Sequence, residues 1–324
     1  MILTREEDFE MVRARHPFKI RIKTGVKRDG TFVAREVEVL LDCGAFADDS
    51  PGVLGFGLLC ARGPYRFPHV RCHGRLVYTN KLRFGAYRGF GNPQVSFAGE
   101  SQIDDIAEKL GMDPIALRLK NILRGDDRAL GGQMLFSNGL KECVERARDA
   151  SGWAQWTQST IGIGGIGGGA PAPSAPGKKR ALGFALCGHI SGLLASGAIA
   201  RMLEDGTVVL NVGANDIGQG SDTVLSQICA EALKMPLENV AFVSPDTDGS
   251  PYNWGTTASR VTFMAGRAVV GAAAEVEKQL KQQASEMLEC AVEDLELIAG
   301  GAVAVKGVPD KKVGFFEIAK RSHW

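Results

Sequence analysis

The sequence predicts an α+β fold of two domains, each a mixed sheet packed with helices. Three observations carry this expectation. The chain has 324 residues, long enough for two domains. A strand-turn-strand pattern occurs twice, and a stretch rich in glycine and proline lies between the two copies.

Phe18, Ile20 and Ile22 alternate with basic residues, Asp29-Gly30 offers a tight turn, and Val37, Val39 and Leu41 alternate with Glu36 and Glu38. Side chains of a strand point alternately to its two faces, so residues 18–41 predict a hairpin with one wet face. Ile103, Ile106, Ala107 and Leu110 share one side of a helix that Gly111 closes, and Asp113 caps the next helix, with Pro114 at its first position. Leu140, Cys143, Val144 and Ala147 mark a third helix ending near Gly152. The second hairpin uses Ala198 to Leu203, the turn Asp205-Gly206 and Val208 to Val212. Val224, Leu225, Ile228, Cys229, Ala232 and Leu233 define a helix after it, and a longer helix covers about 259 to 291, where Ala265, Ala268, Ala272 and Ala273 suit close packing. The expected domains are therefore 1–155 and 180–324, joined by a linker at 156–179.

Composition narrows the function. Hydrophobic residues make up 44% and charged ones 23%, which suits a folded chain. A formal charge of +1 supplies no field for nucleic acid or an anionic membrane. The absence of a long apolar run and of a leader pattern after Met1 points to a cytoplasmic protein. The seven cysteines form no CxxC pair, and Cys143 and Cys229 are expected as small buried hydrophobes on helical stripes. His69, Cys72 and His73 lie on an extended segment that spreads the two histidines about 13 Å apart, so they do not chelate one ion.

Three segments carry chemistry. In GAYRGFGNPQ, residues 85–94, glycines surround Arg88 and Phe90; glycine lets backbone approach a ligand, and an aromatic between two glycines either plugs the core or faces a planar ligand. In DIGQGSD, residues 216–222, a strand end meets a helix start, where backbone amides converge on an anion or the turn is simply capped. Gln219 there donates and accepts without titrating. In GTTASRVTFMAGRAV, residues 255–269, the hydroxyls of Thr256, Thr257, Ser259 and Thr262 gather around a helix start, as phosphate sites do. Gly162 to Gly169 lacks the Lys-Ser or Lys-Thr of a phosphate loop and is expected as linker.

Together with TREEDFE, RHPFKIRIKTGVKRDGT and DPIALRLKN, these segments resemble, in order and spacing, the molybdopterin-binding subunit of the xanthine dehydrogenase and aldehyde oxidase family. The resemblance implies two molybdopterin-binding domains, each incomplete in this chain. It implies a molybdenum-molybdopterin cofactor, often the cytosine dinucleotide form in bacterial members. The cofactor performs the redox chemistry while protein groups orient and polarise. By match to the family's motifs, Phe90 stacks on a planar substrate and the Arg88 backbone amide lies near the metal's oxygen. Gln219, between Gly218 and Gly220, hydrogen-bonds beside the metal. The Ala258 amide points to the same centre, and Ser259 and Thr262 hold the pterin or phosphate end. No side chain of this chain is expected to ligate the metal directly.

The same resemblance implies an enzyme component that oxidises a heteroaromatic or aldehyde substrate with water as oxygen source. Electrons pass to an iron-sulfur subunit, and partner chains carry 2Fe-2S and FAD, alongside further molybdenum-domain polypeptide. The family's general base, a glutamate, lies outside this chain, so activity is expected only with partners. Phe56 stands where purine-oxidising members carry an arginine, and Gly188 and His189 align with a pocket-lining Phe-Thr pair. The competing expectation is a truncated, non-catalytic remnant or scaffold of the same fold.

Overall fold

The computed structural model describes residues 2–154, 182–192 and 194–323. They form two compact units, residues 1–190 and 191–324. The expected linker at 156–179 lies outside the described residues.

In the first unit, helix α1 (Arg5–Met11) opens with a capping box in which the Thr4 hydroxyl accepts from the Glu7 amide and the Glu7 carboxylate from the Thr4 amide. Strands β1 (Phe18–Val26) and β2 (Phe32–Asp42) form the expected antiparallel hairpin, with Phe18 opposite Leu41. Helix α2 (Ser50–Cys60) then carries the chain back so that β3 (His69–Val77) joins β2 in parallel. A parallel neighbour needs such a crossover. Val37, Val39 and Leu41 point into a core shared with Val53 and Cys60 of α2.

Helices α3 (Asn92–Leu110), α4 (Pro114–Asn121) and α5 (Leu140–Ala150) complete this unit. Gly111 ends α3 with φ 65°, and the Asp113 carboxylate caps α4 through the Ala116 amide, both as the sequence predicts. Cys143 departs from expectation. It is exposed, because α5 turns only Val144 fully inward. Residues 182–190 lie in the first unit: Leu186 is buried among Phe32, Tyr65, Ile103 and Leu117, and its N–H donates to Glu100 Oε2 at 2.9 Å.

The second unit repeats the plan. Strands β4 (Ala198–Met202) and β5 (Val208–Val212) pair antiparallel, helix α6 (Ser221–Ala232) crosses over, and β6 (Val240–Val243) joins β5 in parallel. A five-residue π turn, Val261–Ala265, leads into α7 (Gly266–Leu288). The expected start near 259 is displaced because Ala258 and Ser259 adopt positive φ, which no α-helix accommodates. An antiparallel meander of β7 (Leu295–Ile298), β8 (Ala302–Val305) and β9 (Val308–Gly314) leads into α8 (Phe315–His323). Val208, Leu210, Leu225, Cys229, Val269, Ala273 and Leu295 share one core, with Cys229 fully buried as expected.

Candidate functional site

In the first unit, the loop at 85–94 holds three successive residues at positive φ: Gly89 at 89°, Phe90 at 50° and Gly91 at 91°. Gly91 is obligatory, since a Cβ there would stand 2.5 Å from the Val53 carbonyl oxygen. Phe90 carries a Cβ, and the left-handed region costs such a residue about 1–2 kcal/mol. Two tight turns hold it there: the Phe90 N–H donates to the Tyr87 carbonyl at 2.8 Å and the Asn92 N–H to the Gly89 carbonyl at 3.0 Å. Strained backbone of this kind concentrates at functional sites.

The half-buried Phe90 ring meets Phe56 edge-on, with centroids 6.2 Å apart, and Phe56 meets His189 in the same manner at 5.2 Å. Phe56, Phe90 and His189, singled out separately in the sequence, thus form one aromatic group. Arg88 is exposed, and its carbonyl accepts from Arg15 Nη2 at 2.7 Å. The Arg15 guanidinium also covers the Tyr87 ring at 4.4 Å, so one cation braces the loop twice.

Sequence reasoning missed Asn92, the residue that assembles this group. Asn92 is 3% exposed, and its Nδ2 donates to the Gly188 carbonyl at 2.8 Å and contacts His189 Nδ1 at 3.3 Å. The first bond fixes the amide orientation, so the NH2 group of Asn92 faces both the Gly188 carbonyl and the His189 ring. The available signal was the GNPQ segment, in which Pro93 starts a helix and leaves the preceding side chain free to cap or bridge.

In the second unit, the turn at 216–222 is closed by its own side chains. Asp216 Oδ1 accepts from the Gly218 N–H at 2.7 Å and the Gly220 N–H at 3.4 Å. The anion on these converging amides is therefore Asp216 itself. The Gly218 amide, then the other amides of the turn, hold its carboxyl below the usual range against a smaller opposing effect of burial. Gln219 is similarly engaged: its Oε1 accepts from the Ile217 N–H at 2.7 Å, and its Nε2 donates to Ser221 Oγ at 2.8 Å and to the Asn215 carbonyl at 3.2 Å. Burial first, and Asp216 second, push Asp222 upward, and its Oδ1 has no partner among the described residues. Gly218 and Gly220, at φ 101° and 79°, face open space where a side chain would stand.

The 255–262 segment meets this turn at one atom, since Thr256 Oγ1 donates at 2.7 Å to the Asn215 carbonyl that Gln219 also uses. A cavity of about 550 Å³ opens beside it, lined among others by Asn215, Ile217, Tyr252, Asn253 and Thr256. Gln219, Ala258, Ser259 and Thr262 lie outside its lining. Ala258 and Ser259 both sit at φ 50°, exposed, and their N–H groups have no acceptor among the described residues. Thr262 lies exposed on the π turn.

A second unpredicted residue, Arg260, fixes this geometry. It is fully buried, donating from Nη1 to Asn253 Oδ1 at 2.9 Å and from Nη2 to the Leu194 and Ala195 carbonyls at 3.0 and 2.6 Å. A buried guanidinium with satisfied donors locks the loops around it.

Comparison with known proteins places these features in context. Residues 1–122 and residues 150–324 each match a family described as molybdopterin cofactor-binding domain. A xanthine dehydrogenase molybdenum-binding subunit of Escherichia coli O157:H7 is 36% identical over 317 residues, 94% of this chain and 40% of the relative. The nicotinate dehydrogenase large molybdopterin subunit of Eubacterium barkeri is 40% identical over 150 residues, 46% of this chain and 35% of its own length. Among solved structures, a reconstituted CO dehydrogenase from Oligotropha carboxidovorans superposes with a TM-score of 0.81 at 27% identity, covering 99% of this chain and 42% of that one. The chain thus spans about two fifths of the length of the xanthine dehydrogenase relative and of the CO dehydrogenase chain.

Proposed function

Because the chain belongs to the xanthine dehydrogenase and aldehyde oxidase family of molybdopterin-binding proteins, we propose that it is one component of a cytoplasmic molybdenum hydroxylase. The whole enzyme oxidises a planar heteroaromatic or aldehyde substrate with water as oxygen source and passes electrons to an iron-sulfur subunit. The chain works with further molybdenum-domain, 2Fe-2S and FAD polypeptides.

The observation that carries this reading is the backbone at Ala258 and Ser259. Two adjacent, exposed non-glycine residues are held in a costly conformation, and their N–H groups have no acceptor among the described residues. Such groups fit the oxygen-rich pterin and phosphate portions of a molybdopterin. Ala258, Ser259 and Thr262 would hold that end. Gly218 and Gly220, whose faces are open, would let the turn approach the group closely, with Gln219 orienting it.

When bound, the molybdenum cofactor supplies the redox chemistry. The chain's own contribution is placement. Phe90 offers its ring to a planar substrate, Phe56 and His189 shape the neighbouring wall, and the Arg88 backbone amide, on the loop that Arg15 braces, polarises an oxygen. An aromatic wall without an arginine at Phe56 disfavours purines.

A second reading, a non-catalytic scaffold of the same fold, draws support from Gln219 and Asp216, whose hydrogen bonds are already satisfied within their own turn. Metal and pterin analysis of the protein purified with its partners separates the two. Stoichiometric molybdenum and pterin are expected, and Gln219→Ala lowers metal content or turnover by roughly tenfold or more. Protein lacking both groups in the intact complex sinks the enzyme reading.

A further inference from the structure

A cavity in the first unit, lined by neither the 85–94 loop nor residues 188 and 189, carries a charge pattern of its own. It has a volume of about 560 Å³, and its rim includes Arg62, Arg66, Lys120, Arg124 and Arg128 against a single carboxylate, Asp127. The whole chain has a net charge of only +1. Gathering five cations at one opening therefore works against their mutual repulsion.

Carboxylates offset only part of this rim. Lys120 pairs with Asp29 at 3.4 Å, but the four arginines form no ion pair among the described residues. Asp127 turns toward its own loop, where its Oδ2 accepts from the Arg124 backbone N–H at 2.7 Å. Arg62 is half-buried, and burial disfavours its charge with partial relief from Asp127.

The backbone that carries the rim is also held in place before any ligand arrives. The Arg66 N–H donates to the Asn121 carbonyl at 2.8 Å, the Leu123 N–H to the Pro64 carbonyl at 3.0 Å, and Arg62 Nη2 to the Arg128 carbonyl at 2.8 Å. These bonds tie the segment between α2 and β3 to the segment after α4. Beneath the rim, Phe32 and Phe67 stack at 4.8 Å. Arginines in a fixed frame over an apolar floor are suited to planar, multidentate recognition of oxyanions.

We propose that this cavity binds a small molecule bearing a phosphoryl group, with Arg66 and Arg124 closing on the phosphate oxygens. The site is independent of the molybdopterin reading and stands or falls apart from it. A nucleotide and free phosphate share the recognised chemistry, and the test separates them.

Calorimetric titration of the protein in its purified assembly uses inorganic phosphate, pyrophosphate, adenosine diphosphate and a poly-glutamate peptide as probes. Saturable binding of at least one phosphate probe is expected, weakened by salt and at least tenfold weaker in R66Q/R124Q. Tighter binding of adenosine diphosphate than of pyrophosphate identifies a nucleotide, and the reverse order identifies the phosphate group alone. Both residues are exposed, so unchanged unfolding midpoints exclude misfolding, and R75Q on the same unit serves as a charge control with unaltered affinity. Three results overturn the proposal: no phosphate probe saturates, R66Q/R124Q binds as wild type does, or only poly-glutamate binds, which would make the rim a protein-docking surface.

Discussion

Asn92 Nδ2 lies 2.8 Å from the carbonyl oxygen of Gly188, a residue 96 positions further along the chain. This bond joins the start of α3 to the segment that carries His189, whose Nδ1 lies 3.3 Å from the same amide nitrogen. Asn92→Leu leaves the Gly188 carbonyl without its donor. A loss of about 1–3 kcal/mol in urea unfolding is expected. Nitrogen NMR of the imidazole should then show a shifted His189 Nδ1 resonance, whereas an unaltered one would contradict the contact.

Glu100 and Arg118 form a buried network. Arg118 is fully buried and donates from Nε to Glu100 Oε2 at 2.8 Å and from Nη1 to Asp104 at 2.7 Å, while Tyr65 donates to Glu100 Oε1 at 2.6 Å. Removing one partner strands a charge in the interior. Arg118→Met should destabilise the first unit by about 3–5 kcal/mol. The double replacement Glu100→Gln with Arg118→Met should cost less than the sum of the two singles, and strict additivity would show that the pair is not coupled.

Asp42 provides a pH signature. Burial raises its carboxyl, but hydrogen bonds from Lys81, Thr79 and the Gly44 amide outweigh this and hold it at about 2, below the ordinary 3.8. A depressed carboxylate contributes stability that is fully present above its unfolded value and fades as pH falls through its folded one. The contribution should therefore disappear between about pH 4 and pH 2. Denaturant unfolding of Asp42→Asn should show a flatter acid limb than wild type across that window. Identical limbs would remove Asp42 as the cause.

Ala258 holds a left-handed conformation that glycine adopts freely. Ala258→Gly relieves this strain and should stabilise the second unit by up to about 1 kcal/mol. Thermal unfolding measures it directly. A lower midpoint would mean that the alanine methyl makes packing contacts worth more than the strain.

Both hairpins were legible because alternation reports one buried face and Asp-Gly reports a tight turn. The pairing of the third strand with each hairpin was not. The parallel pairing of β3 with β2 depends on how α2 folds back, a long-range matter that no local pattern encodes. The same distinction separates the site residues. The strained glycine-flanked Phe90 stood out by its neighbours, whereas Asn92 and Arg260 act through partners 96 and 66 positions away. Cys143 misled because a helical stripe shows which side is apolar, not how far the helix sinks into its neighbours.

The two units end their middle strands in the same way. Asp42 closes β2 and accepts from the Gly44 amide at 2.9 Å, and Asp216, shortly after β5, accepts from the Gly218 amide at 2.7 Å. Asp42 also meets a cation, Lys81 at 2.8 Å, whereas Asp216 is held by amides with no ion pair among the described residues, so acid breaks a salt bridge at the first exit and only hydrogen bonds at the second.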